Sequence, residues 1–254
     1  MKVLGRQGED AMKEIIVKDD AFAYGGFTSG GSGIWTRQQP DDPPVDDYIA
    51  LGRRLGRELS DVVRPYQANG SRVAAVGREH GGSGVIKDNE LKRVDGLVTA
   101  ERGIVLSIIA ADCVPVYLTE PVSGVIGLLH CGRQAAGDIL RSGAEQMKAL
   151  GACPQRIHMH IGPHICGDCY EVGEDVRAEL AGNFSPAELK AVFSLRGGKL
   201  YLDLSKALKL RAAAEGITDD RITETRVCTF CDSSFYSYRR GDRGRQNLAF
   251  LMMK

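Results

Sequence analysis

The 254-residue chain has no net charge: Lys and Arg number 33, and so do Asp and Glu. That balance removes the overall basic field that would make nucleic acid the main partner. No apolar stretch reaches the roughly 18 residues that a spanning helix needs, so no membrane partner is expected. The first residues, MKVLGRQGED, lack the apolar core of a secretion signal, and a cytoplasmic location follows. There is no internal repeat and no low-complexity linker, so residues 1–254 read as a single domain, taken as a monomer. Complete disulfide pairing is also missing, because the seven cysteines are odd in number. Free thiols or thiolate ligands are the better expectation for a cytosolic chain of this size.

What is present is the composition of a folded protein, 43% hydrophobic and 26% charged. KEIIVKD and AFAYGGF read as a hairpin or paired edge strands. SGGSGIWTRQQPDDPPVDD follows, a loop by composition that carries the only tryptophan, Trp35. Tyr48, Leu51, Leu55 and Leu59 recur at helical steps from Asp46 onward. RVAAVGR reads as a strand running into Glu79-His80-Gly81-Gly82. Asp95-Gly96 reads as a turn before LVTAE. Two apolar runs, IVLSIIA and GVIGLLH, form the expected central strand pair, and Arg133–Leu150 has helical periodicity closed by Gly151. Ser185-Pro186-Ala187-Glu188 has the form of a capped helix start. KLYLDL and NLAFLMM read as further strands, and Leu204–Glu215 as a helix. Helices and strands alternate without the even rhythm of a doubly wound fold. The class is α/β (α+β), with mixed β-sheets flanked by helices.

Three ligand-type residues each follow a β-prone run: His80, Cys113 and His130. Zinc accepts imidazole nitrogen and thiolate sulfur together, and a catalytic zinc keeps three protein ligands with one position open. The alternative for the same residues is two structural histidines and an inert thiol, or a hydrolase with Cys113 as nucleophile and a histidine as base. A rival cluster pairs Cys166-Gly-Asp-Cys169 with Cys228-Thr-Phe-Cys231, the pattern of a closed four-cysteine zinc site. Arg239, Arg240, Arg243 and Arg245 crowd a loop able to grip phosphate or carboxylate, or simply to be solvated. Arg133 opens a helix, where an anion is favoured. His158 and His160 alternate along one strand and read as structural.

Several of these pieces resemble the YfiH-like laccase-domain family, whose members are also described as multicopper polyphenol oxidase-like, peptidoglycan editing factor or purine nucleoside phosphorylase proteins. The resemblance lies in His80-Gly81, Ala111-Asp112-Cys113-Val114-Pro115-Val116 and the segment from His130. It continues in Gly162-Pro163-His164-Ile165, Tyr170-Glu171-Val172-Gly173, Cys228-Thr229, Phe235-Tyr236-Ser237-Tyr238-Arg239-Arg240 and Gly244-Arg245-Gln246. It implies one domain of mixed sheets flanked by helices, with His80, Cys113 and His130 as zinc ligands and copper as the other candidate metal. The implied reaction is zinc-dependent phosphorolysis of adenosine, inosine or methylthioadenosine, with adenosine deamination as a further activity. Nucleoside and phosphate are then the small-molecule partners. Arg239 or Arg133 would neutralise phosphate, and Asp112 or His164 would assist proton transfer. Laccase-like phenol oxidation and editing of peptidoglycan precursors by a Cys113/His130 hydrolase are the alternatives. Two departures stand out. The family has glutamine two positions before its first histidine, where this chain has Arg78. After the second histidine it has alanine, glycine, tryptophan, arginine and glycine, where this chain has Cys131, Gly132, Arg133, Gln134 and Ala135.

Overall fold

Two mixed sheets stacked on one another form the core of the computed structural model, which describes residues 14–29 and 46–254. Trp35 and most of the loop around it lie outside the described residues. In chain order the first elements are β1 (Glu14–Asp19), β2 (Ala23–Thr28), α1 (Asp46–Leu55), β3 (Val62–Val63), β4 (Val73–Ala75) and β5 (Gly96–Thr99). They are followed by β6 (Val105–Ala110), β7 (Val114–Glu120), β8 (Val125–Cys131), α2 (Ile139–Ala149), β9 (His158–Ile161) and β10 (Glu171–Val172). The chain ends with α3 (Glu174–Leu180), α4 (Pro186–Val192), β11 (Phe193–Arg196), β12 (Lys199–Leu202), α5 (Leu204–Ala214), β13 (Ile222–Glu224) and β14 (Asn247–Met253).

The first sheet has the order β1-β2-β14-β6-β3, the second β13-β9-β7-β8-β5-β4, and a small sheet β10-β12-β11 lies beside them. β14 and β8 are buried along their whole length, as continuous apolar runs in a covered sheet must be. Leu106, Ile108 and Leu251 of the first sheet pack against Tyr117, Ile126 and Leu128 of the second. The outer face of the first sheet is covered by Tyr48 and Leu51 of α1. That of the second is covered by Ile139, Leu140 and Met147 of α2 with Leu204 and Leu208 of α5. The result is helix, sheet, sheet, helices in four layers, with both strand types as expected.

The two central runs are both strands, as expected, and lie in different sheets. β6 pairs β14 and β3 in one sheet, whereas β8 pairs β7 and β5 in the other. Pro115 sits within β7, directly after the turn that carries the chain from one sheet to the other. Helix ends follow their chemistry: Ser185 Oγ accepts from Glu188 N while Glu188 Oε2 accepts from Ser185 N, closing the expected box. Gly151, at φ 95°, ends α2 in a backbone region that other residues avoid. The helix expected from Arg133 begins later, since residues Arg133–Ala135 form a separate 3₁₀ turn. His160 is structural as read, its ring nitrogens bonded to the Thr223 and Thr225 hydroxyls at 2.8 Å. Among the described residues no helix is long and apolar enough to cross a membrane.

Candidate active site

The switch between sheets occurs at Asp112-Cys113, between the end of β6 and the start of β7. Asp112 takes φ 86°, a left-handed turn that short polar residues tolerate best. Its buried carboxylate is fully occupied. Oδ1 accepts from Thr229 Oγ1 at 2.7 Å, and Oδ2 accepts from Ser237 Oγ at 3.0 Å and Arg239 N at 2.7 Å. Asp112 therefore ties the turn beside Cys113 to two distant loops. Asp112→Ala leaves three donors facing a void and keeps a left-handed residue without its compensation. Such a loss costs about 3 kcal/mol, read as a lower urea midpoint.

Cys113 lies beside His130, the penultimate residue of β8, which is 5% exposed. His130 Nδ1 meets Asp95 Oδ1 at 3.0 Å. Asp95 is fully buried and also accepts from the backbone amides of Ala68, Asn69 and Gly70, the last two at 2.9 Å. Burial alone would raise its pKa, but the bond to His130 and the backbone donors hold it below the ordinary value. An ionised Asp95 makes Nδ1 of His130 the donor and leaves Nε2 for Cys113. Burial alone would depress the imidazole, yet the Cys113 sulfur and Asp95 outweigh it and lift its pKa to about 9. The turn expected at Asp95 is thus the anchor of the site.

The same carboxylate brings in Asn69. Gln67 supports it from the other side: its amide donates to Ile109 O and accepts from Ile109 N, both at 2.8 Å, just upstream of Cys113. A Cβ placed on Gly132 would lie 3.3 Å from Cys113 Sγ and 3.5 Å from Asn69 Oδ1, so these two atoms flank one spot beside His130. Gln67-Ala68-Asn69-Gly70 has the glutamine two positions ahead and the glycine directly behind that the histidine segment was expected to have. The histidine itself is replaced by an amide.

His80 is not part of this site, which corrects the expected zinc triad. It follows β4 at the opposite end of the sheets, where Gly82 N donates to Val62 O and Val62 pairs with Val105 at the start of β6. Cys113 lies beyond the far end of β6, whose six residues at about 3.3 Å each put roughly 17 Å between the two ends. His80 instead accepts from Gly77 N at 3.2 Å and contacts Glu79. Cys113, His130 and an amide oxygen fall short of the three strong donors of a catalytic zinc. The residues present do not fit that metal.

Tyr170, not expected as a site residue, lies in the neighbourhood of Cys113. Burial, then the charge of Cys113, pushes its hydroxyl up to about 12, while Arg133 and Arg239 oppose the shift. The Arg239 guanidinium lies 5.1 Å from the Tyr170 ring centroid and donates to Glu171 O at 2.7 Å. Arg133 reaches the same neighbourhood while paired with Glu179 of α3. The remaining loop arginines do other work. Arg240 staples its own loop through Thr229 O, Phe230 O and Asp242, and Arg243 and Arg245 cover Tyr238 and Tyr236. His164 also stands outside: its buried ring bonds Gly162 O at 2.8 Å, and its charged neighbours are Glu224, Asp203 and Lys209. Burial lowers its pKa.

Among the described residues, the one group of three or more metal-type side chains that converges is Cys166, Cys169, Cys228 and Cys231, with sulfurs all within 4.8 Å of one another. Such a cluster can hold a metal ion.

Residues 45–254 match the family model described as multi-copper polyphenol oxidoreductase laccase. The chain belongs to this laccase family. A relative from Streptomyces griseus, named purine nucleoside phosphorylase ORF3, is 38% identical over 80% of this chain and 81% of its own. Adenosine deaminase RL5, from an unknown prokaryotic organism, is 34% identical over 77% and 76%. The solved structure of the hypothetical protein YfiH from Bacillus licheniformis superposes with a TM-score of 0.82 at 28% identity, covering 91% of this chain and 93% of that one. The four-layer fold is thus that of the family, and the family's enzymes place this chain among enzymes.

Proposed function

We propose that the chain is a purine nucleoside phosphorylase working in the cleft between His130 and Tyr170. The observation that carries this reading is the hydrogen-bonded line Cys113–His130–Asp95, with Tyr170 feeling Cys113, Arg133 and Arg239 together. A proton donor and an anion site in one neighbourhood are what cleavage of nucleoside by phosphate requires. The name of the Streptomyces griseus relative supports the same reaction.

In this reading phosphate sits against Arg239 and Arg133, displacing Glu179, and its oxygen attacks ribose C1′. The C1′–N9 bond breaks, its electrons pass into the purine, and His130 delivers the proton that neutralises the leaving base. Asp95 holds the resulting imidazole in one orientation, and Tyr170 offers a ring for the purine to stack on. No step uses a metal. Adenosine deamination, in the name of RL5, needs a water activated at purine C6, for which this cleft lacks the donor set of a zinc site. Phenol oxidation needs several coupled coppers, and the cleft's Cys113, His130 and Asn69 do not supply their ligands.

Purified protein given adenosine and phosphate is expected to release adenine and ribose-1-phosphate in equal amounts; inosine alone, or no product, contradicts the reading. Because the useful proton sits on His130 below its pKa, turnover should hold from neutral pH and fall as pH rises past about 9. A rate that climbs through that range would remove His130 as the acid.

A second reading rests on a different fact, that Cys113 is free beside an imidazole held by a carboxylate. This is the arrangement of a thiol hydrolase acting on an acyl substrate such as a peptidoglycan precursor. It predicts stoichiometric labelling of Cys113 by a substrate-like electrophile and a trapped thioester; phosphorolysis predicts neither.

A further inference from the structure

The four cysteines come from two segments separated by 62 positions along the chain, yet they form one cluster. We propose that Cys166, Cys169, Cys228 and Cys231 bind one zinc ion as a closed structural site that clips two loops together and holds Tyr170 and Thr229 at the cleft.

The backbone is already shaped for this. In the first pair the amides of Cys169 and Tyr170 both donate to Cys166 O, at 2.9 and 3.1 Å, closing a turn that points its two sulfurs the same way. In the second, Asp232 N donates to Cys228 O at 2.9 Å and does the same for Cys228 and Cys231. The two turns are joined by a parallel bridge at His164 and Cys228, in which His164 N donates to Val227 O and Thr229 N to His164 O. Cys166 N also donates to Cys228 Sγ at 3.3 Å, an amide–sulfur bond that favours an ionised thiolate. All four thiols are free. Sulfurs at about 2.3 Å from a tetrahedral zinc lie about 3.8 Å apart, so a cluster within 4.8 Å closes on the ion by side-chain rotation. Four thiolates and no fourth open position make a structural site, and soft sulfur donors select zinc over oxygen-seeking cations.

The site is coupled to the cleft by adjacency. Cys169 precedes Tyr170, whose ring lies beneath the Arg239 guanidinium, and Cys228 precedes Thr229, whose hydroxyl holds Asp112. Fixing the sulfurs fixes both.

The test is zinc content by elemental analysis of the intact chain, for wild type and for Cys113→Ala, Cys169→Ser and Cys228→Ser. One zinc per chain is expected in wild type and in Cys113→Ala, and none in the other two. Because the serine variants can fail to fold, wild-type protein is also exchanged with cobalt. A four-sulfur site then gives the strong thiolate-to-cobalt absorption and tetrahedral bands of sulfur-only ligation. Zinc lost in Cys113→Ala, zinc kept in Cys169→Ser, copper in place of zinc, or a cobalt spectrum with nitrogen ligation would each overturn the proposal. None of these readouts depends on turnover, so a failure of the phosphorylase reading leaves this test intact.

Discussion

His130→Gln should fold like the wild type and lose adenosine phosphorolysis by about three orders of magnitude, within the 10²–10⁴ range of a positioned acid or base. The glutamine amide still donates to Asp95, and Asp95 keeps its three backbone donors from Ala68, Asn69 and Gly70, so the loop and β8 stay in place. What disappears is a group whose pKa of about 9 keeps a transferable proton at neutral pH. The loss should fall on kcat rather than KM, because His130 acts on the departing base and not on phosphate. Steady-state kinetics with a urea melt of the same sample separates the two effects. Equal loss of stability and rate would mean that the residue only supports the fold. Asp95→Asn should show a smaller fall together with a shift of the high-pH limb toward neutrality, since Cys113 still raises the imidazole but the carboxylate that adds to it is gone.

Asn69→His should create a second metal site and raise the metal content from one to two ions per chain. The substitution is favoured by the backbone: Asn69 sits at φ 58°, a region that Asn, Asp and His occupy more readily than other side chains. Its loop is held by main-chain bonds to Asp95 that do not involve the side chain. An imidazole in place of the amide adds a third strong donor to Cys113 and His130, which satisfies the three-ligand, one-open-position pattern of catalytic zinc. Alkylation of Cys113 should slow sharply when zinc is added to the variant and stay unchanged in wild type. Unaltered metal content in Asn69→His would mean that Cys113 and His130 cannot converge on an ion.

Much of the scaffold was legible in the chain because local chemistry decides it. The β1–β2 hairpin, the Ser185 cap, α5 and β14 follow from alternation, capping and buried apolar runs. β7 was hidden by its position: its pairing with β8 depends on a sheet switch at Asp112 that no local pattern announces. Three site residues were missed for distinct reasons. Asp95 precedes a glycine and so reads as a turn, although its burial makes it an anchor. Tyr170 looks like one more aromatic until the Cys169 turn sets it over the cleft. Asn69 offers an amide, which a search for metal-ligand residue types passes over; the glutamine ahead of it and the glycine behind it were the available signal. His80 misled in the opposite way, because an His-Gly pair after a strand matches locally while the strand's direction carries it to the wrong end of the sheets. The two cysteine pairs stand 62 positions apart along the chain, and the bridge at His164 and Cys228, which no local pattern announces, brings them together.

The proposed chemistry puts no metal beside His130 and one zinc among the four clustered cysteines. An anomalous difference map at the zinc edge, from crystals of untagged protein grown with zinc at stoichiometric concentration, tests that division directly. One peak centred among the sulfurs of Cys166, Cys169, Cys228 and Cys231, with none between Cys113 and His130, is the predicted result. A peak bonded to Cys113 and His130 would contradict it and return the chemistry of the cleft to a metal.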